Sequence, residues 1–275
     1  MAYNSEQQVG TAPADQFVEA DGLRLWTSVR GQGRPLLLVN GIGATVELLD
    51  PIRDALKGVR TIAFDAPGAG RSPATCLPLR LRSLARVLAE MLDRLGYAQV
   101  DVMGASWGSA LAQELAWRYP ARVRRLILAA ATPGWIGLPP SLIGFALLAT
   151  PWRYRFPSLR ERVAPSLYGG ELRDDPGILR REGLLGTIRP PTFRGYLTQG
   201  AAMLGWTSLP WLWQVTQPTL IVAGDVDPIT PLFNSRMMAR FIPDSRLFVI
   251  KGGGHLSLLT RAREIAPVIL EFLGR

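Results

Sequence analysis

The chain has 275 residues, 48% hydrophobic and 19% charged, a balance that fits one α/β domain carrying an insertion and excludes wholesale disorder. A single cysteine, Cys76, excludes an intrachain disulfide, and with only one histidine, His255, it excludes the usual zinc and iron–sulfur ligand sets, so neither metal nor cofactor is expected. The net charge of +9 rests on scattered arginines, the only lysines being Lys57 and Lys251; without a nucleic-acid motif it reads as surface composition and not as a nucleic-acid site.

Met1 to Gln16 is polar and has no apolar core of a secretory signal, which points to the cytoplasm. Phe17–Glu19 and Leu23–Val29 read as strands around the turn Ala20-Asp21-Gly22. Pro35–Val39 is a short, wholly apolar run ending in Asn40-Gly41, as expected of a strand buried on both faces. Arg60–Asp65 is the next strand and enters the glycine-rich turn Ala66-Pro67-Gly68-Ala69-Gly70. Apolar residues at three- and four-residue steps from Leu81 to Leu95 predict a helix closed by Gly96. The strand Val100–Met103 leads into Gly104-Ala105-Ser106-Trp107-Gly108, and a second helix runs to Tyr119 and stops at Pro120. Strands at Val123–Ala129, Thr219–Ala223 and Leu247–Ile250 and a closing helix at Ala262–Leu273 complete an alternation that predicts a mainly parallel sheet covered on both sides.

The interval from Ala130 to Thr219 is too long for a loop. Residues 133–215 read as an inserted helical cap, dividing the chain into a core of 1–132 and 216–275 with the cap between. Leu126–Trp152 carries no charge, but Pro133, Gly134, Gly137, Pro139 and Pro140 interrupt it, so no membrane span is expected. Nearly half of the aromatic residues fall in the cap. Most are expected to pack its own small core, and a few, Trp206 among them, to line an apolar pocket for substrate.

Chemistry concentrates in three places. Gly104–Gly108 matches G-x-S-x-G between a predicted strand and a predicted helix, where a strained turn exposes a nucleophilic Ser106. A serine hydroxyl needs a base to take its proton; His255, in Gly252-Gly253-Gly254-His255, is the sole imidazole. Asp227, in Gly224-Asp225-Val226-Asp227-Pro228, is the preferred acid to orient the ring, with Asp225 as its rival. The developing oxyanion needs preorganised N–H donors. The backbone N–H of Trp107, and that of Ile42 in the turn Asn40-Gly41-Ile42-Gly43, are the ones expected.

These residues resemble the α/β-hydrolase superfamily. Together with Phe64-Asp65-Ala66-Pro67-Gly68, Ser106-Trp107-Gly108, Tyr168-Gly169-Gly170, Leu204-Gly205-Trp206-Thr207-Ser208 and Gly254-His255-Leu256, they are similar to intracellular depolymerases of medium-chain-length polyhydroxyalkanoates. The resemblance implies an α/β-hydrolase fold and an esterase acting at a granule surface or on another hydrophobic ester, with Ser106, Asp227 and His255 as its triad. Two positions depart from that pattern: Ser109 stands where a second glycine is usual, and Gly252-Gly253 where acidic residues often precede the histidine. A small-molecule carboxylesterase or a carbon–carbon bond hydrolase would share the same three residues. A non-catalytic binding protein is the alternative of another class.

Overall fold

A computed structural model describes residues 14–182, 184 and 189–274; the expectation about the polar N-terminus falls, up to Pro13, outside them. The described strands are β1 (Ala14–Ala20), β2 (Leu23–Arg30), β3 (Pro35–Val39), β4 (Arg60–Phe64), β5 (Val100–Ala105), β6 (Val123–Ala129), β7 (Thr219–Gly224) and β8 (Ser245–Ile250). They form one sheet in the order β1-β2-β4-β3-β5-β6-β7-β8. β2 runs antiparallel to both β1 and β4, and every other pair is parallel.

The helices are α1 (Asp50–Ala55), α2 (Leu81–Arg94), α3 (Trp107–Arg118), α4 (Leu142–Leu148), α5 (Trp152–Arg155), α6 (Pro157–Tyr168), α7 (Glu171–Asp174), α8 (Ile178–Arg181), α9 (Phe193–Ala201), α10 (Leu232–Phe241), α11 (Ser257–Thr260) and α12 (Ala262–Leu273). β3 explains why the sheet must be covered twice. Leu37 and Val39 enter a core shared with α2 and α3, whereas Leu36 and Leu38 enter a core shared with α1 and α12. A strand that is apolar on both faces is stable only between two helix layers. In α2 the buried Leu81, Leu84, Val87, Leu88, Met91 and Leu92 form one stripe. Truncating such a leucine to alanine costs about 2–5 kcal/mol through lost transfer energy and the cavity left behind.

The sequence reading did not anticipate α1 and α10. The face that α10 buries includes Asn234 and Ser235, so no clean apolar stripe marks it. Asn234 is buried because its amide is satisfied: Oδ1 accepts from the Leu138 N–H at 2.7 Å and Nδ2 donates to the Leu138 carbonyl at 2.9 Å.

Between β6 and β7 the chain makes α4 to α9, followed by a 3-10 turn at Leu209–Gln214. This excursion meets the loops that follow β3 and β5, at the carboxyl ends of the parallel strands, where ligands bind in open α/β sheets. Its aromatics do not mostly pack into a core of their own. Trp135, Phe145, Trp152, Phe156, Phe193 and Trp213 are exposed. Trp211 instead stacks on Trp117 of α3, with ring centroids 4.4 Å apart, so it belongs to the core below. Among the described residues no helix is long and apolar enough to cross a membrane.

Candidate active site

The site begins at the junction of β5 and α3. Ser106 has φ 54° and ψ −121°, a conformation rare for a side-chain-bearing residue and kept only where surroundings over-determine it. Three features hold it. The Ser106 N–H donates to the Ala129 carbonyl of β6 at 2.9 Å. A Cβ at Gly104 would overlap the Gly108 carbonyl, and one at Gly108 would overlap the carbonyls of Val39 and Asn40. The two glycines of G-x-S-x-G are therefore present because the first turn of α3 lies directly on β3 and β5.

The loop after β8 brings in the imidazole. The His255 N–H donates to the Tyr168 carbonyl at the end of α6, at 2.7 Å. Two glycines let these segments touch: a Cβ at Gly170 would overlap the Gly254 backbone, and one at Gly254 would overlap the Tyr168 carbonyl. The Tyr168-Gly169-Gly170 segment thus serves as a backbone shelf under the histidine loop.

The loop after β7 carries the candidate acid. Asp227 Oδ1 accepts the N–H groups of Ile229 and Thr230 at 2.8 and 2.9 Å, and Oδ2 accepts the Thr230 hydroxyl at 2.6 Å. Oδ2 also lies 2.8 Å from His255 Nδ1, and His255 Nε2 lies 2.9 Å from Ser106 Oγ. Burial pushes the Asp227 carboxyl up, but the facing His255 and the bonds from His255 and Thr230 outweigh it, and the net shift is downward. An ionised carboxylate only accepts, so Nδ1–H donates to Asp227, which leaves Nε2 of the neutral ring to accept the Ser106 hydroxyl proton. Asp225 stands elsewhere: its Oδ1 accepts the Gly252 N–H at 2.7 Å in an exposed turn.

The turn after β3 completes the floor. Asn40 ties it shut, accepting the Gly41 N–H at 2.8 Å and donating to the Thr45 carbonyl at 2.7 Å. Gly41 is so close to Ser106 that a Cβ there would sit 3.6 Å from Ser106 Cβ. Trp107 opens α3, so its backbone N–H has no partner within the helix. A cavity of about 60 Å³ lies beside Ser106 and His255, lined by Ile42, Leu48, Leu148, Ile229, Leu258 and Leu259 together with Tyr154 and Tyr168. Trp206 does not line it. Its indole N–H donates to Glu114 of α3 at 2.8 Å, which draws the ring to the helix flank and away from the serine.

Sequence reasoning assigned no individual role to three residues that bind the roof and the loops to this floor. Gln199 of α9 accepts the Gly43 N–H at 2.8 Å, donates to the Pro67 carbonyl at 2.9 Å, and its own carbonyl accepts the Trp107 indole N–H at 2.8 Å. The Tyr154 hydroxyl donates to the Ile42 carbonyl at 2.7 Å. Asp65 accepts the N–H groups of Val46 and Arg71, both at 2.8 Å. Burial pushes its carboxyl up to about 6, against the pull of those two bonds. These partners are 6 to 156 residues apart, with no local pattern to announce them.

A family model described as alpha/beta hydrolase fold matches residues 34–262. The chain is 44% identical over 261 residues to a poly(3-hydroxyalkanoate) depolymerase of Ectopseudomonas oleovorans, covering 93% of this chain and 91% of that protein. It is 29% identical to a 2-hydroxymuconate semialdehyde hydrolase of Pseudomonas putida, over 93% of this chain and 92% of the other. A solved hydrolase from Pseudomonas aeruginosa superposes with a TM-score of 0.78 at 26% identity, covering 96% of this chain and all of that one, 100%.

Proposed function

The chain belongs to the α/β-hydrolase family, and on that premise we propose that it is a serine esterase cleaving the ester bonds of intracellular poly(3-hydroxyalkanoate) of medium chain length. The observation that carries this reading is the hydrogen-bonded line from Ser106 through His255 to Asp227. The depolymerase relative supplies the substrate class.

In this mechanism Ser106 Oγ attacks the ester carbonyl while His255 Nε2 takes its proton. The oxyanion is received by the N–H groups of Trp107 and Ile42, each such donor being worth about 3 kcal/mol. His255 then protonates the leaving alcohol, and water, activated by the same ring, cleaves the acyl-enzyme. Residues 133–215 act as the cap that shapes entry. The outer side of that cap favours adsorption to a hydrophobic particle in the cytoplasm: on α4, Leu142 and Phe145 are 90% and 65% exposed, and exposed apolar side chains grouped in this way mark interaction sites.

Purified protein added to amorphous medium-chain granules is expected to clear turbidity and release hydroxy acids; unchanged turbidity with no released acid rejects the reading. Replacing Ser106→Ala is expected to lower kcat by about 10⁵-fold or more with the fold intact. A granule-inactive protein that still turns over p-nitrophenyl esters would be a small-molecule esterase. One that takes no fluorophosphonate label on Ser106 would be a binding protein.

A further inference from the structure

Two arginines of the roof reach the cavity with no carboxylate in ion-pair reach among the described residues. Arg153 of α5 and Arg160 of α6 both line the space beside Ser106 and His255, and they are only 4% and 3% exposed. Arg153 Nη1 donates to the carbonyls of Leu147 and Thr150 at 3.2 and 3.0 Å, and Arg160 Nη1 donates to the Leu184 carbonyl at 3.0 Å. The Nε of each is buried without a hydrogen-bond partner among the described residues. Three acids of the same segment are engaged elsewhere, Glu161 with Arg180, Asp175 with Arg181, and Glu171 with Ser257 and Thr260, and no ion pair to Arg153 or Arg160 is found among the described residues. Both guanidinium groups flank one ring, their Cζ atoms 4.5 and 5.9 Å from the Tyr154 centroid, and Arg153 is 5.2 Å from that of Tyr196.

Ring faces and carbonyls offset part of the desolvation of a guanidinium, but they do not neutralise it, and two like charges around one tyrosine repel. An alkyl chain needs no such pair, because the aliphatic side chains of the lining, Ile42, Leu48, Leu148, Ile229, Leu258 and Leu259, already suit it. Neither guanidinium has a paired carboxylate among the described residues, and a planar carboxylate is what a guanidinium fork matches.

We propose that Arg153 and Arg160 form a subsite for the free carboxylate at the end of the polyester chain, so that the enzyme removes units from the carboxyl terminus. This rests on the esterase reading above. In a 3-hydroxyalkanoate chain the terminal unit carries the carboxylate on C1, and its C3 oxygen is the alcohol side of the last ester bond. Ser106 Oγ forms a bond to that ester's carbonyl carbon, and the bond from this carbon to the C3 oxygen breaks. His255 returns the proton to the C3 oxygen, and the terminal hydroxy acid leaves. Water then adds to the acyl-enzyme, giving its proton to His255 and on to Ser106, and releases a chain one unit shorter. That chain ends in a new carboxylate, so each turnover makes the handle for the next.

The test compares the linear dimer of 3-hydroxyoctanoic acid with its methyl ester. The native protein is expected to prefer the free acid in kcat/KM by about tenfold or more, the usual worth of a hydrogen bond to a charged group. Arg153→Gln and Arg160→Gln are expected to bring the ratio of the two substrates toward one, while Arg160→Lys, which keeps charge but not the fork, retains an intermediate ratio. Equal rates on acid and methyl ester in the native protein overturn the proposal. Because a buried arginine can be needed for folding, a second measurement leaves both in place. Calorimetric titration of the Ser106→Ala protein with 3-hydroxyoctanoate and with 3-hydroxyoctanamide is expected to show tighter binding of the acid. Equal binding of the two, or none of the acid, overturns the subsite. If the native protein cleaves neither dimer, the esterase reading falls while this titration still decides the subsite.

Discussion

The floor of the site and its roof are built differently. On the floor, Ser106, Asp227 and His255 hang from strands of one sheet, and their loops are held by backbone hydrogen bonds and by contacts so close that a methyl group does not fit at Gly104, Gly108, Gly170 or Gly254. The roof, α4 to α9, meets the floor by backbone at Tyr168–Gly170, against the histidine loop, and at Gly195, against Gly68; elsewhere it is fastened mainly through side chains, chiefly Gln199 and Tyr154, and it turns exposed aromatics outward. A floor of backbone contacts fixes reacting atoms to the fraction of an ångström that catalysis requires. A roof that meets the floor at a few separate points can differ from relative to relative and set what enters, which is how one fold serves many chemistries.

The sharpest way to probe this contrast is to alter the floor without disturbing its packing. Asp227→Asn keeps the size of the side chain, and its carbonyl oxygen can still accept the Ile229 and Thr230 N–H groups. Its amide, however, faces His255 Nδ1 with a donor and forces the ring into the other tautomer, with a proton on Nε2 where the serine's must go. The expected outcome is a fall in kcat of about 10⁴-fold with an unchanged denaturation midpoint, as measured by ester hydrolysis and urea unfolding. A loss of stability to match would mean that Asp227 is a structural anchor and not an orienting acid. Gly108→Ala probes the packing itself. The new methyl would meet the carbonyls of Val39 and Asn40, so either α3 or β3 must shift; the expected destabilisation is about 1–3 kcal/mol or more, with the nucleophile displaced and activity lost.

Much of the floor was legible in the sequence for this same reason. Buried parallel strands write continuous apolar runs, and Pro35–Val39 and Val123–Ala129 read from sequence with the ends the structure gives them. Ser106 stands in a motif with a local meaning, and the only imidazole had to be His255 if any base was present. Between Asp225 and Asp227 the sequence favoured Asp227 but left Asp225 as a rival, because both follow β7. The direction of each side chain separates them, and direction is set by the turn that Thr230 and Ile229 close around Asp227. The roof was largely illegible. Its short helices carry no long periodicity, Trp206 looked like a pocket residue until its indole N–H was seen on Glu114, and the tether at Gln199 joins residues 156 positions apart.

That tether offers the next test, with a smaller expected effect. Gln199→Leu has similar bulk but leaves the Gly43 N–H and the Pro67 carbonyl buried without their side-chain partner. A stranded buried polar group costs about 1–3 kcal/mol, so thermal unfolding is expected at a lower temperature. Because Gly43 adjoins Ile42, kcat should also fall while the unaltered triad residues keep their reaction with fluorophosphonate. A variant with native kcat would show that the turn after β3 holds its shape without the roof.

The smallest expected effect is at the outer face of the roof. Leu142 and Phe145 are one helical turn apart on α4, among the most exposed apolar side chains of the protein, and distant in role from the loops that carry Ser106 and His255. Fully burying such a side chain against an apolar surface contributes about 1.5–3 kcal/mol. Contact with a particle covers only part of each, so Leu142→Ser with Phe145→Ser is expected to weaken adsorption to granules by up to about tenfold. Hydrolysis of a soluble dimer should change far less, and the ratio of granule to dimer rates is therefore the quantity to measure. If that ratio stays constant while both rates fall, α4 supports the cavity from behind, through Leu148 at its far end, and the floor and roof are mechanically one piece. If the ratio falls alone, the division holds: chemistry below, access above, and adhesion on the outer surface of the same few helices.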